Sequence, residues 1–236
     1  MKESNEDQRP ALYLFAPSAH FVRPYFERLV KDYRITDEPD EAAAAAVMIS
    51  STDIYDVDCG ENFNELTPVK SDSPWLKDEQ IFAETCRTHG LKPTVLRCAP
   101  VVCTGMTGWP REMAEKIYRG SYVGVSDNEA RRSVVHAVSL PEAASGVINT
   151  GETYNVTDTV DPTVDMLADA LAWRIAQKRI FKLKPKWYRL IFGKKNYETA
   201  CRTLTFSCEK LRSRCDFKPV STVEYLKTHV YDASSL

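Results

Sequence analysis

The chain has 236 residues, 43% of them apolar and 27% charged, and 31 Lys plus Arg nearly cancel 33 Asp plus Glu. A net charge of −2 argues against nucleic acid as a partner. There are 9 glycines, the first is Gly60, and no G-K-[ST] occurs, so a Walker-type NTPase and an N-terminal G-x-G-x-x-G loop are both excluded.

Residues 1–10 are charged, lack a signal-peptide core and read as a flexible tail. The run Ala11-Leu12-Tyr13-Leu14-Phe15 predicts a buried strand. Residues 22–32 place Val22, Tyr25, Phe26 and Leu29 on one helical face, and Tyr33-Arg34-Ile35-Thr36 reads as a second strand ending at Asp37. Residues 42–50 run through five alanines into Val47-Met48-Ile49, a third strand.

A helix follows with Ser73 as cap, Pro74 at its first position and Gly90 as its left-handed stop. Thr94-Val95-Leu96 is a strand, and Pro110 opens a helix that stops at Gly120. Residues 122–125 and 133–135 read as strands, Pro141 opens a short helix, and Thr153-Tyr154-Asn155-Val156 is again a strand. From Asp161-Pro162 a helix runs to about Lys178 on the stripe Val164, Leu167, Leu171 and Ile175. Ser221-x-x-Glu224 is a capping box leading into Leu226 and Val230.

This alternation predicts an α/β protein with a mainly parallel sheet and helices on both faces. The expected division is a tail over 1–10, a Rossmann-like domain over 11–160 and a small, mostly helical part over 161–236. Seven cysteines form no C-x-x-C pair, which predicts free thiols in a reducing cytoplasm and no zinc site.

Six segments, in order, resemble the NAD-dependent epimerase/dehydratases, the extended short-chain dehydrogenase/reductases. Ile49-Ser50-Ser51-Thr52-Asp53-Ile54-Tyr55 resembles I-S-S-x-x-V-Y, and Ser71 to Glu84 sits where the family has P-x-S-x-Y-x-x-x-K-x-x-x-E. Leu96-Arg97 with Val101 and Gly105 resembles L-R-x-x-x-V-x-G-x-G. Val134-Val135-His136-Ala137-Val138 resembles V-H-V-D-D, Tyr154-Asn155-Val156 resembles Y-N-V, and Ser207 to Pro219 resembles S-x-x-K-x-x-x-x-L-G-[FW]-x-P. The resemblance implies a reduced Rossmann-like fold, NAD or NADP as cofactor, a nucleotide-sugar ligand and a homodimer through helix 74–89.

Such enzymes remove a hydroxyl proton with a tyrosine whose pKa is lowered by a lysine four positions on, with a serine orienting the substrate oxygen. By resemblance Ser51 matches the serine, but Trp75 stands at the tyrosine position and Glu79 at the lysine position. An indole N–H only donates, and a carboxylate raises a neighbouring phenol's pKa. Lys77 is two positions from Trp75, on roughly the opposite helical face, and Tyr55 is generally not the base in the family. The three cofactor-loop glycines fall at Ala16, Ala19 and Val22, with Pro17 lacking an amide donor. Asp37 stands where an acid could meet the adenosine ribose, and only about nine residues separate it from Val47, where the family carries further strands and helices.

Arg97 and Arg132 are the substrate-side candidates by resemblance, each also readable as a salt-bridge residue. His136 reads as structural. Residues 174–195 hold nine Lys/Arg and no acid, interleaved with Phe181, Trp187, Tyr188 and Phe192. That segment reads either as an anionic membrane contact or as a substrate-domain helix packed on the core. The leading expectation is an epimerase/dehydratase-like protein that has lost hydride transfer and acts by binding or regulation. An active NAD(P)-dependent enzyme with altered residues and a basic peripheral-membrane adaptor are the alternatives.

Overall fold

The computed structural model describes residues 9–39, 41–176 and 179–228. The expected tail, apart from its last two residues, lies outside these, as do Lys178 and Val230.

In chain order, β1 (Ala11–Phe15) leads through a 3-10 turn into α1 (Arg23–Leu29), then β2 (Arg34–Thr36) and β3 (Ala43–Ser51). β4 (Gly60–Phe63) precedes α2 (Pro74–Thr88), β5 (Pro93–Cys98), β6 (Val101–Val102) and α3 (Gly108–Tyr118). Next come β7 (Val123–Val125), β8 (Val135–His136), α4 (Leu140–Val147), β9 (Thr153–Val156) and α5 (Val164–Ala176). The remainder is β10 (Phe181–Leu183), α6 (Pro185–Phe192), α7 (Lys194–Ala200), β11 (Leu204–Phe206), α8 (Glu209–Arg214) and α9 (Thr222–Thr228).

The central sheet has five parallel strands in the order β2-β1-β3-β5-β9. Both faces are covered, as parallel strands require, so its strands read as nearly continuous apolar runs. On one face Leu12, Leu14, Val47, Ile49, Leu96, Tyr154 and Val156 pack against Phe26 of α1, α4 and Leu211 of α8. On the other, Tyr13, Ala46, Met48 and Val95 meet Phe82 and Cys86 of α2. Full burial of such side chains contributes about 1.5–3 kcal/mol each. β2 and β3 flank β1 on opposite sides and are joined by only residues 37–42, too few for the dozen or so of an ordinary parallel crossover. The sheet ends at β2 among the described residues.

A second core joins Val102, Met106, Met113, Ile117 and Val134 to Val164, Leu167, Leu171 and Leu226, so it draws on both sides of residue 160. Two parallel pairs tie the halves together, β11 with β4 and β10 with β7, while β6 pairs with β8 within the first.

Local expectations meet several corrections. The Ser73 side chain makes no cap bond; its residue is buried, and its N–H is spent on Lys70 O at 3.2 Å. Leu29 is exposed because α1 ends there and only Val22 and Phe26 point into the core. Helix α3 begins two residues before Pro110. The helix expected around Pro185-x-Trp187 is α6, and the short strand β10, which was not expected, precedes it. Gly90 does sit at φ +67°, the left-handed stop expected of it.

Candidate functional site

The carboxyl ends of β3, β5 and β9 carry one polar row. Ser50 is paired in register with Arg97, and Arg97 with Asn155. All three are buried, and α2 lies over this face, bringing Glu79 one turn before Phe82 and two before Cys86. Arg97 donates to both Glu79 oxygens, Nε to Oε1 at 2.9 Å and Nη2 to Oε2 at 2.8 Å. Ser50 Oγ donates to Glu79 Oε1 at 2.7 Å. The remaining guanidinium nitrogen donates to Tyr55 Oη at 3.3 Å, with the guanidinium carbon 5.1 Å from the Tyr55 ring centroid.

Tyr55 Oη in turn donates to Asn155 Oδ1 at 2.6 Å, and the Asn155 N–H to Glu65 Oε1 at 2.7 Å. Burial works against the Arg97 charge, but bonds to Glu79 and Tyr55 more than offset it and raise the pKa. Burial likewise raises the Tyr55 pKa, opposed by Arg97, so the phenol is held protonated at neutral pH. Each of the three Arg97 nitrogens is thus bound within the chain. Sequence reasoning chose Arg97 and Glu79 separately and missed their pairing, together with Ser50 and Asn155. A polar residue at the matching position near the end of three apolar strands was the available signal.

Ser51 caps the 3-10 turn Thr52–Ile54 by accepting from Asp53 N–H at 3.1 Å. Trp75 is half-buried against the Ile54, Tyr55 and Phe206 cluster, while Lys77 is exposed. No tyrosine–lysine pair stands one helical turn apart on α2.

The loop after β1 has closed on itself. Ala19 N–H bonds Ala16 O at 3.1 Å and Val22 N–H bonds Ala19 O at 2.9 Å. Among the described non-glycine residues only Asn62, Asp127 and Asn149 have positive φ, so this loop uses none of the left-handed backbone that glycine permits. Val22 is fully buried, and Phe21 Cβ lies 3.0 Å from where a Cβ on Gly105 (φ +80°) would stand. These residues do not fit the pyrophosphate of a dinucleotide as a glycine loop does: two amides are spent, Pro17 has none, and Ala19 and Val22 are buried in the turn. Asp37 is ion-paired with Arg23 of α1, which also holds Glu27 at 2.7 Å and Ile35 O at 3.1 Å. Its carboxylate is therefore bound to the chain's own cation.

Arg132 lies elsewhere, in a cleft of about 400 Å³ between α3, β7 and the α6–α7 hairpin. Its guanidinium sits 5.3 Å from the Trp109 ring centroid and donates to Thr199 O at 2.9 Å and Arg202 O at 3.3 Å. Burial, with Arg202 nearby, lowers its pKa. Lys116, Asn128, Tyr122 and Tyr188 share the wall. His136 is buried with its ring centroid 3.9 Å from that of Tyr225, and its Nδ1 accepts from Val138 N–H at 3.2 Å. Structure therefore brings together Glu79 and Arg97, and sets Arg132 apart from them.

The sheet order, its two helical layers and the row at its carboxyl edge define a Rossmann-like α/β protein. The solved structures it resembles include several epimerases and a dehydratase. RMD from Pseudomonas aeruginosa, complexed with NADPH, superposes with a TM-score of 0.56 at 17% identity over 80% of this chain and 65% of its own. The dTDP-glucose 4,6-dehydratase from Bacillus anthracis, complexed with NAD, gives 0.53 at 18% over 91% and 70%. The UDP-glucose 4-epimerase from Thermotoga maritima, with UDP-glucose, gives 0.51 at 22% over 77% and 60%. The chain thus spans about two thirds of their length. No protein-family model matches it, and no curated protein does.

Proposed function

We propose that the chain is an epimerase/dehydratase-like protein of the nucleotide-sugar class that has lost hydride transfer and acts by binding or regulation. One observation carries this reading: the carboxylate of Glu79, at the position where proton transfer needs a lysine, is bound on both oxygens by Arg97. Trp75 supplies no phenol beside it, and Tyr55 is buried with its proton given to Asn155. Ser51 keeps the family's serine but spends its oxygen on a turn. Ligand binding then falls to the cleft around Arg132 and Trp109, which offers a cation and a ring to a nucleotide sugar. Arg97 is given a structural role in place of a substrate-binding one. The same reading includes a cytoplasmic protein and a homodimer through α2, whose Ile81 is 56% exposed; light scattering checks the dimer. Among the described residues no helix is long and apolar enough to cross a membrane.

Isothermal titration with NAD, NADP and several UDP- and dTDP-sugars tests the proposal. A nucleotide sugar should bind and Arg132→Ala should weaken it, with no heat from either dinucleotide. Micromolar dinucleotide binding, or turnover of a nucleotide sugar, would overturn it.

A further inference from the structure

The α6–α7 hairpin has no fully buried residue. Tyr188 and Phe192 line the cleft. On the side of α6 away from them, Trp187, Leu190 and Ile191 are 53%, 71% and 60% exposed. Their i, i+3, i+4 spacing makes one apolar stripe, and the core packing expected of Trp187 does not occur. Three large apolar residues side by side on a short helix mark a contact surface, where scattered ones would not.

Cations rim the stripe at both ends, Lys184 and Lys186 before it and Lys194 and Lys195 after it. No acidic residue occurs from Arg179 to Tyr197. Lys182 is held by Asp165 and Asp169, each at 2.9 Å, and Lys194 reaches Glu198 at 3.6 Å. Lys184, Lys186 and Lys195 make no ion pair among the described residues and are exposed.

The charge pattern selects the occupant. A two-fold pairing with a second copy would set α6 against itself, and because both ends are basic, either orientation confronts cation with cation. An anionic bilayer meets both features at once, since acyl chains take the stripe, headgroups take the lysines, and tryptophan favours the boundary between them. We propose that α6 docks on an anionic lipid surface, with Trp187, Leu190 and Ile191 inserted and Lys184, Lys186 and Lys195 against acidic headgroups.

Sedimentation with phosphatidylcholine vesicles, with and without phosphatidylserine, tests the proposal on the full chain. The protein should pellet with the phosphatidylserine vesicles only and be released at high salt, because the attraction is screened. Its tryptophan emission should shift to the blue, and Trp187→Phe should remove the shift. Lys184→Ala with Lys186→Ala should lower the partition coefficient roughly thirtyfold, from about 1 kcal/mol per surface cation. Leu190→Ser with Ile191→Ser should abolish binding while the circular dichroism spectrum stays unchanged. Failure to pellet with phosphatidylserine vesicles would overturn the proposal, as would binding that both double variants leave intact. A dimer by light scattering that Leu190→Ser with Ile191→Ser dissolves would overturn it too, by giving the stripe to a second copy.

Discussion

Replacing Glu79 by alanine removes the acceptor of two Arg97 nitrogens and of Ser50 Oγ, and leaves a guanidinium whose side chain is only 11% exposed. Breaking a buried pair from one side costs about 3–5 kcal/mol, because the remaining charge keeps its desolvation penalty without its partner. In a chain of this size each kcal/mol moves the Tm by about 2–4 °C, so Glu79→Ala should melt roughly 6–20 °C lower. Glu79→Gln retains one oxygen for Ser50 and Arg97 and should fall between. Glu79→Met combined with Arg97→Met removes both desolvation penalties and should lie close to wild type. Glu79→Lys puts a second cation against Arg97 and should be the most damaging, so any attempt to build a tyrosine–lysine pair on α2 must also change Arg97. Thermal and urea melts followed by far-UV circular dichroism measure all four. A Glu79→Ala shift below about 2 °C, or a double variant no better than the single, would refute the reasoning.

Two further perturbations follow from the geometry. Asp158 is buried, accepting from Thr222 N–H at 2.7 Å and Thr222 Oγ at 3.0 Å, and burial pushes its pKa up to about 7 despite those bonds. The folded chain therefore keeps a proton that the unfolded chain releases near pH 4, so stability should fall as pH rises from about 4 to about 7 and level off above. The loss is up to about 4 kcal/mol; Asp158→Asn, which can still accept from the Thr222 N–H, lacks this dependence, so the wild-type-minus-variant difference in urea melts should fall over that window. An unchanged difference would remove the assignment. Gly105→Ala meets both a φ of +80° and Phe21 Cβ at 3.0 Å, and should cost about 1–3 kcal/mol in the same melts. A cost below about 0.5 kcal/mol would mean that Phe21 yields freely.

Much of the fold was legible because its core strands are apolar runs closed by turn residues. Residues 11–15, 94–96 and 153–156 needed no partner to be recognised, and Ser221 with Glu224 marked the start of α9, where Glu224 N–H bonds Ser221 Oγ at 3.4 Å. Of the short pairs β4–β11 and β7–β10, β7 was read within residues 122–125, but β4, β10 and β11 were not legible. Three or four residues such as Phe181-Lys182-Leu183 show no alternation worth reading, and each acquires its strand geometry only from a partner far along the chain. The site divides in the same way. Which residues stand where the resemblance places the tyrosine, lysine and glycines could be read locally. That Glu79 reaches Arg97, eighteen positions on, across a helix–strand contact, could not. Nor could the capture of Asp37 by Arg23, since ion pairs depend on where two ends of different elements meet.

The pairing of β4 with β11 also governs the order in which the molecule can be completed. Asn62 N–H is answered by Thr205 Oγ1, 143 positions later, and Leu211 and Phe217 fill seats beside the first sheet strands. During synthesis the Gly60–Phe63 edge and those apolar seats stay open until residues 204–217 emerge. An unmet strand edge beside bare apolar surface is the form in which nascent chains aggregate, so the arrival of residues 204–217 is also what removes the hazard.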